Sequence, residues 1–259
     1  MKLRMIAAAA AGLLLLTGCS STDAPADDET TTEQSTADGA SGEVTIFAAA
    51  SLTAAFDDLA KGFEEANPEA TVEPIVYDGS STLVTQLTEG AHADVLATAD
   101  EANMQNLVDE GLASDAQLFA TNTLVIAVPA GNPGGVETLA DLADVTTVLC
   151  AAEVPCGAAS QTLLDNEGVT VEAASLEQNV TSVLTKVAAG EADAGLVYAT
   201  DVIGQDDVES IVPDGAADVV NRYPIVALDG ASDAGAAFVE YVLSADGQAV
   251  LADYGFGAP

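Results

Sequence analysis

Basic residues are nearly missing from this chain: its 259 residues hold five Lys and Arg against 42 Asp and Glu, a formal charge of −37 at pH 7. Nucleic acid is excluded as a partner, because neutralising phosphates takes lysine and arginine. Histidine occurs once, as His92. A Ser/His/Asp triad would have to recruit that residue, and no Gly-x-Ser-x-Gly elbow accompanies it, so a serine hydrolase has little to be built from. His92 follows Gly90 in a small polar turn and reads as exposed. One histidine, three cysteines and no calcium-loop spacing among the carboxylates also leave a resident metal ion without a ligand set. Internal repeats, heptad stripes and cofactor motifs are absent.

Long hydrophobic runs are missing too. The apolar stretch Ile6 to Leu16 is too short to span a bilayer. Preceded by Lys2 and Arg4 and followed by small residues, it reads as a secretory signal over residues 1–18. Its end, Leu16-Thr17-Gly18-Cys19, resembles the lipobox of bacterial lipoproteins, which makes Cys19 the expected lipid anchor on the outer face of the cell membrane. Residues 19–42 are rich in Ser, Thr, Asp, Glu and Gly and bury too little to order themselves, so they read as a tether. Loss of the signal leaves three basic residues, Lys61, Lys186 and Arg222, against 42 acids, a formal charge of −39. Such acidity describes a solvated surface, and in its sharper form an adaptation to high salt, where carboxylate repulsion is screened. The remaining cysteines, Cys150 and Cys156, suit a disulfide closing a short loop in an exported protein, with two buried free thiols as the alternative.

The folded part, from residue 43 to 259, alternates short apolar runs with amphipathic stretches, the pattern of an α/β protein. Strands are expected at Val44–Ala49, Val72–Tyr77, Asp94–Ala97, Thr123–Pro129, Thr147–Cys150, Ala194–Tyr198 and Arg222–Leu228. Helices are expected through Phe56–Phe63, Leu83–Leu87, Glu101–Glu110, Gly157–Asn166 and Val180–Ala188, with two more around Phe238–Val242 and Val250–Tyr254. In open α/β sheets, ligands bind at the turns beyond the carboxyl ends of strands. Ser51, Ser80, Cys156-Gly157 and Asn179-Val180 each stand in such a turn, at a helix start. Helix N-termini offer unpaired N–H groups and partial positive charge, so they can hold an anion without a basic side chain. Each serine alone is more simply a helix cap.

The company each serine keeps changes that reading. Phe47-Ala48-Ala49-Ala50-Ser51-Leu52-Thr53 resembles the first ligand loop of bacterial molybdate-binding proteins. The resemblance continues in order through Gly79-Ser80-Ser81-Thr82-Leu83, Gly90-Ala91-His92-Ala93-Asp94-Val95 with Thr98-Ala99-Asp100, Val154-Pro155-Cys156-Gly157, Asn179-Val180, Gly195-Leu196-Val197-Tyr198-Ala199-Thr200-Asp201 and Tyr254-Gly255-Phe256. It covers essentially the whole folded part.

The resemblance implies a two-lobed periplasmic-binding-protein fold of type II, each lobe a mixed sheet flanked by helices, with two crossovers as the hinge. Residues 43–121 and 222–259 would form the first lobe and 122–221 the second. It further implies an ABC-importer binding protein, monomeric and without catalytic residues or cofactor, that delivers molybdate or tungstate to a membrane permease. Ser51 and Ser80 would donate hydroxyl and backbone N–H, Cys156 and Val180 backbone N–H, and Tyr198 its hydroxyl. Cys156 departs from the small residue expected there, a change that a backbone donor tolerates.

A neutral, donor-only cage suits dianions that carry no proton, such as molybdate, tungstate and sulfate, whereas hydrogen phosphate needs an acceptor. Asp78, two residues before Ser80, is expected to bond its own turn. Asp94, Asp100 and Asp201 are expected to fix loops. Sulfate or an organic solute remains the alternative cargo.

Overall fold

The computed structural model describes residues 39–259; the signal, Cys19 and most of the tether lie outside the described residues. Regular structure begins slightly before the expected boundary at residue 43. The Ala40 N–H donates to Asn67 Oδ1 at 2.9 Å, and β1 (Ser41–Val44) pairs in parallel with β3 (Glu69–Val72). The pairing lies 28 positions away in sequence, so composition at residues 39–42 could not reveal it.

A first group of strands orders as β4 (Val76–Asp78), β2 (Ile46–Ala49), β5 (Val95–Ala97), β11 (Val220–Ala227) and β6 (Gln117–Pro129). Strands β4, β2 and β5 run parallel; β11 is antiparallel to both β5 and β6. Thirteen-residue β6 is then shared. Its first half, through Thr123, pairs with β11. Its second half pairs from Leu124 with β9 (Ala194–Tyr198) and from Ile126 with β10 (Val208–Ile211). Beyond β9 come β7 (Thr147–Cys150) and β8 (Ser175–Glu177), all parallel. Two mixed sheets thus share one strand, and the chain returns from the second to the first between β10 and β11.

Helices cover these sheets. In the first group α1 (Thr53–Ala66) buries Ala55, Phe56, Leu59 and Phe63 at helical spacing. Its Phe56 meets Phe119 edge-on at 5.8 Å between centroids, and Phe63 meets Phe238 of α6 (Asp233–Leu243) at 5.3 Å. Each ring contributes about 1.5–3 kcal/mol through burial. Also here are α2 (Ser80–Thr88), α3 (Glu101–Asp109) and α7 (Ala245–Asp253); the second group holds α4 (Pro155–Glu167) and α5 (Val180–Ala188).

Three differences from the sequence expectation have physical causes. The strand expected over Val72–Tyr77 is two strands, because Glu73-Pro74-Ile75 interrupts it and proline cannot donate to a ladder. The strand expected to start at Thr123 starts at Gln117, its first half concealed by Gln117, Thr121 and Asn122. Short β8 and β10 carry too little pattern to be seen alone.

Candidate functional site

Helix starts differ across the molecule in how they are capped. Asp100 accepts from the N–H of Asn103 in α3, and Ser232 and Ser244 accept from Gly235 and Gly247 in α6 and α7. By contrast α2 and α4 begin without a side-chain cap, the latter with Pro155 in its first turn. First-turn N–H groups have no intrahelical acceptor, so those of Ser80 and Cys156 remain open to another partner. Asn179 caps α5 only through Ser182, at 2.9 Å, which leaves the Val180 N–H in the same state.

Neither serine acts as a helix cap. Ser51 lies within the short 3-10 turn Ala50–Leu52 ahead of α1, and its Oγ is 3.1 Å from the Tyr223 hydroxyl. Ser80 is the first residue of α2, and its Oγ accepts from the Ala99 N–H at 3.0 Å. Both hydroxyls are held by the fold rather than by their own helices.

Ser51, Ser80, Cys156, Val180 and Tyr198, drawn from five separate segments, line one small, narrow cavity. Asp78, Gly79, Ala99, Val154 and Asn179 also border it. Two helix starts on each side of the cavity direct the positive ends of their dipoles toward it, each a favourable place for an anion.

No basic side chain borders the cavity. Lys61 pairs with Asp58 on the surface, Lys186 pairs with Glu177 beside Ser175, and Arg222 is exposed. His92 is exposed as well and does not line the cavity.

The two sides of the cavity touch. Asp78 Oδ1 accepts from the Gly79 N–H at 2.7 Å and from Asn179 Nδ2 at 2.9 Å, tying the start of α2 to the start of α5. Asp78 therefore bonds its own turn, as expected, and also bridges to the other side. A Cβ added to Gly79 would stand 2.1 Å from the Gln178 carbonyl oxygen. At Gly157 it would stand 1.8 Å from the Ala151 carbonyl oxygen, so the loop closed by the Cys150–Cys156 disulfide packs directly on α4. That bridge spans six positions with its Cα atoms 5.7 Å apart.

The remaining carboxylates fix loops. Asp94 accepts from the N–H groups of Thr45 (2.8 Å) and Ser232 (2.7 Å). Asp201 Oδ2 accepts from the Tyr198 N–H at 2.8 Å, holding the turn after β9. Burial raises the Asp201 carboxyl to a pKa of about 7, against the lowering effect of that N–H. Burial likewise raises the hydroxyls of Tyr198 and Tyr223 above the ordinary tyrosine range, so both stay protonated. Their rings meet edge-on at 6.0 Å.

Sequence reading missed the residues behind the cavity: Tyr223, Asn122, Asn221 and Thr200. Asn122 and Asn221 are opposite partners in the β6–β11 ladder and are buried, 6% and 7% exposed. An amide facing inward from an otherwise apolar strand was the available signal, since a buried polar group needs a reason.

Residues 44–257 match the family of bacterial extracellular solute-binding proteins, and the chain belongs to that family. It is thus a substrate-binding protein of the ABC-transporter class, which carries a ligand and uses no cofactor, rather than an enzyme. Its fold is that of the type II periplasmic binding proteins, two lobes each with a mixed sheet flanked by helices. The particular kinship is with molybdate-binding proteins. The chain is 42% identical over 222 residues to the molybdate-binding protein ModA of Mycobacterium tuberculosis (strain ATCC 25618 / H37Rv), covering 83% of this chain and 85% of that one. It is 30% identical over 268 residues to YvgL of Bacillus subtilis (strain 168), covering 99% and 98%. The Azotobacter vinelandii periplasmic molybdate-binding protein shares the fold, with a TM-score of 0.71 at 19% identity over 83% of this chain and 99% of that one.

Proposed function

We propose that the protein captures molybdate or tungstate between its lobes and delivers it to the membrane permease of an ABC importer. One observation carries the reading: a cavity bordered by hydroxyls and by residues at helix starts, with no basic side chain and with its one carboxylate, Asp78, engaged through Oδ1 by the Gly79 N–H and the Asn179 amide. Ser51 and Ser80 donate hydroxyl and N–H, Cys156 and Val180 donate N–H, and Tyr198 donates its hydroxyl. Hydrogen bonds of this kind to a charged acceptor are the strong ones, and more so away from water. The name of the mycobacterial relative supports molybdate as the cargo.

Residues 43–121 with 222–259 form the first lobe and 122–221 the second, and the hinge lies where β6 and the approach to β11 cross between them. Closure buries the anion. Cys19 carries the lipid that holds the mature, monomeric protein at the outer face of the membrane; the alignment with YvgL, over 99% of this chain, reaches through the leader and Cys19.

A thermal-shift panel of molybdate, tungstate, sulfate, phosphate and chromate tests the reading. Ligand at a thousand times its dissociation constant stabilises by roughly 4 kcal/mol. For a folded part of this size that raises Tm by about 8–16 °C. Molybdate and tungstate are expected to give this shift. A flat panel refutes oxyanion capture, and a shift with sulfate alone reassigns the cargo.

A further inference from the structure

We infer that Asn221, a residue outside the cavity lining, is a positioning residue that sets the hydrogen-bond polarity of the site and thereby its choice between proton-free dianions and hydrogen phosphate. The inference rests on the proposed oxyanion site. Asn221 Nδ2 lies 2.9 Å from the Ala99 carbonyl oxygen and 2.9 Å from the Tyr198 hydroxyl oxygen. A carbonyl oxygen can only accept, so the Asn221 atom facing it is the NH2 group. Both N–H bonds of that group are then engaged, one to each oxygen. Tyr198 consequently accepts from Asn221, and its own proton is left for the cavity.

Ala99 extends the effect to the other lobe. Its N–H donates to Ser80 Oγ at 3.0 Å, so Ser80 is also an acceptor from behind with its proton left for the cavity. Asn221 grips Ala99 by the carbonyl and Tyr198 by the hydroxyl, and so orients donors on both sides. Opposite it in the ladder, Asn122 Oδ1 accepts from the Thr123 N–H at 3.0 Å, which turns Asn122 Nδ2 toward Thr200 Oγ1 (2.8 Å) and the Tyr223 hydroxyl (3.4 Å). Tyr223 is then disposed to donate to Ser51 Oγ, and Ser51 in turn to the cavity. The paired asparagines of β6 and β11 make the three hydroxyls donors. A ligand that must itself donate a proton, as hydrogen phosphate must, meets no acceptor among them, and Asp78, the one carboxylate on the border, already accepts through Oδ1 from Gly79 and Asn179.

Sulfate and hydrogen phosphate have the same charge above the second ionisation of phosphate and nearly the same size. Their affinity ratio therefore isolates proton polarity. Calorimetric titration of both, with molybdate alongside, at about pH 8 on the wild type, Asn221→Asp and Asn221→Ala is the test. In Asn221→Asp the new carboxylate accepts from Tyr198, withdrawing its proton and turning a lone pair to the cavity. The added charge repels both dianions alike. The sulfate-to-phosphate and molybdate-to-phosphate ratios are expected to fall by roughly tenfold or more, the worth of one hydrogen bond to a charged group. Asn221→Ala frees the Tyr198 hydroxyl to rotate and moves the ratios the same way, more weakly; it decides the matter if Asn221→Asp does not fold. Equal weakening of all three anions makes Asn221 a structural brace and overturns the inference. So does a wild type that binds hydrogen phosphate as tightly as sulfate. A wild type that binds no oxyanion refutes the proposed function instead.

Discussion

Replacing Gly79 with alanine adds one methyl group where the two sides of the cavity meet. The backbone there, φ −61° and ψ 138°, is ordinary extended geometry that alanine adopts freely. Conformation therefore gives no reason for glycine, and the reason is space. The added Cβ would lie 2.1 Å from the Gln178 carbonyl oxygen and 3.2 Å from Val154 Cγ1, whereas ordinary contact begins at 3.4 Å. The lobes would have to part there by about 1.3 Å. That displacement stretches the 2.9 Å bond between Asp78 and Asn179 beyond hydrogen-bonding range. The same parting draws Cys156, Val180 and Tyr198 away from a ligand held by Ser51 and Ser80.

Loss of two hydrogen bonds to a charged ligand costs about 3–6 kcal/mol, a fall in affinity of roughly a hundredfold to ten-thousandfold. Stability of the ligand-free protein should change far less, because the gain of about 0.4–1 kcal/mol from restricting the unfolded chain is offset by loss of the Asp78–Asn179 bond, worth about 0.5–1.5 kcal/mol. Calorimetric titration with molybdate and a denaturant melt without ligand measure the two effects separately. A Gly79→Ala protein that binds as tightly as the wild type would show that ligand capture does not require the lobes to meet at Gly79, and the reasoning would fail.

Replacing both Cys150 and Cys156 with serine opens a loop of six positions, which by loop-closure entropy costs about 2 kcal/mol. A guanidinium melt should show that loss while ligand affinity falls far less, because the donor proposed at Cys156 is its backbone N–H. Asp201→Asn tests the buried carboxyl. Its folded pKa of about 7 stands above the unfolded value, so its favourable contribution is complete below the unfolded carboxylate range and is lost as pH rises toward 7. The asparagine variant keeps an acceptor for the Tyr198 N–H but lacks that loss. Its Tm should gain on the wild type between about pH 4 and pH 7 and run parallel above; parallel curves throughout would refute the assignment. Finally, the net negative charge should slow dianion capture, so the association rate measured by stopped flow should rise with ionic strength; a salt-independent rate would contradict it.

The parts of the fold legible in the sequence are those set by local pattern. Strand β7 and strand β9 fall where apolar runs put them, and α1, α2 and α5 where 3.6-residue spacing does. The serines and the glycine-rich turns beside them were equally visible, because a helix start announces itself in a few adjacent residues. What was hidden depends on partners distant in the chain. The first half of β6 is a strand because it pairs with β11 about a hundred residues later, not because its own residues demand it. The Asn122–Tyr223 and Asp78–Asn179 contacts each join positions 101 apart. An asparagine in a strand looks the same in sequence whether it faces solvent or braces a hydroxyl.

The acidity of the chain and an anion site are reconciled by distance. Carboxylates on the surface act through water and are screened beyond about a Debye length, roughly 8–10 Å at ordinary salt. Dipoles at a helix start act across a single hydrogen bond, where little solvent intervenes. Those carboxylates that do approach the cavity have their charge answered or disfavoured. Asp78 is bonded by Gly79 and Asn179, and burial raises Asp201 to about 7 and shifts Asp100 upward from its ordinary value. A lysine or arginine in the cavity would bind an anion more strongly from afar, yet it would also accept any anion of the right charge. Neutral donors held rigid from behind distinguish anions by where their protons are. With three basic residues between positions 39 and 259, the chain has little other means of holding a dianion, and on the proposed reading the same scarcity would make the site selective.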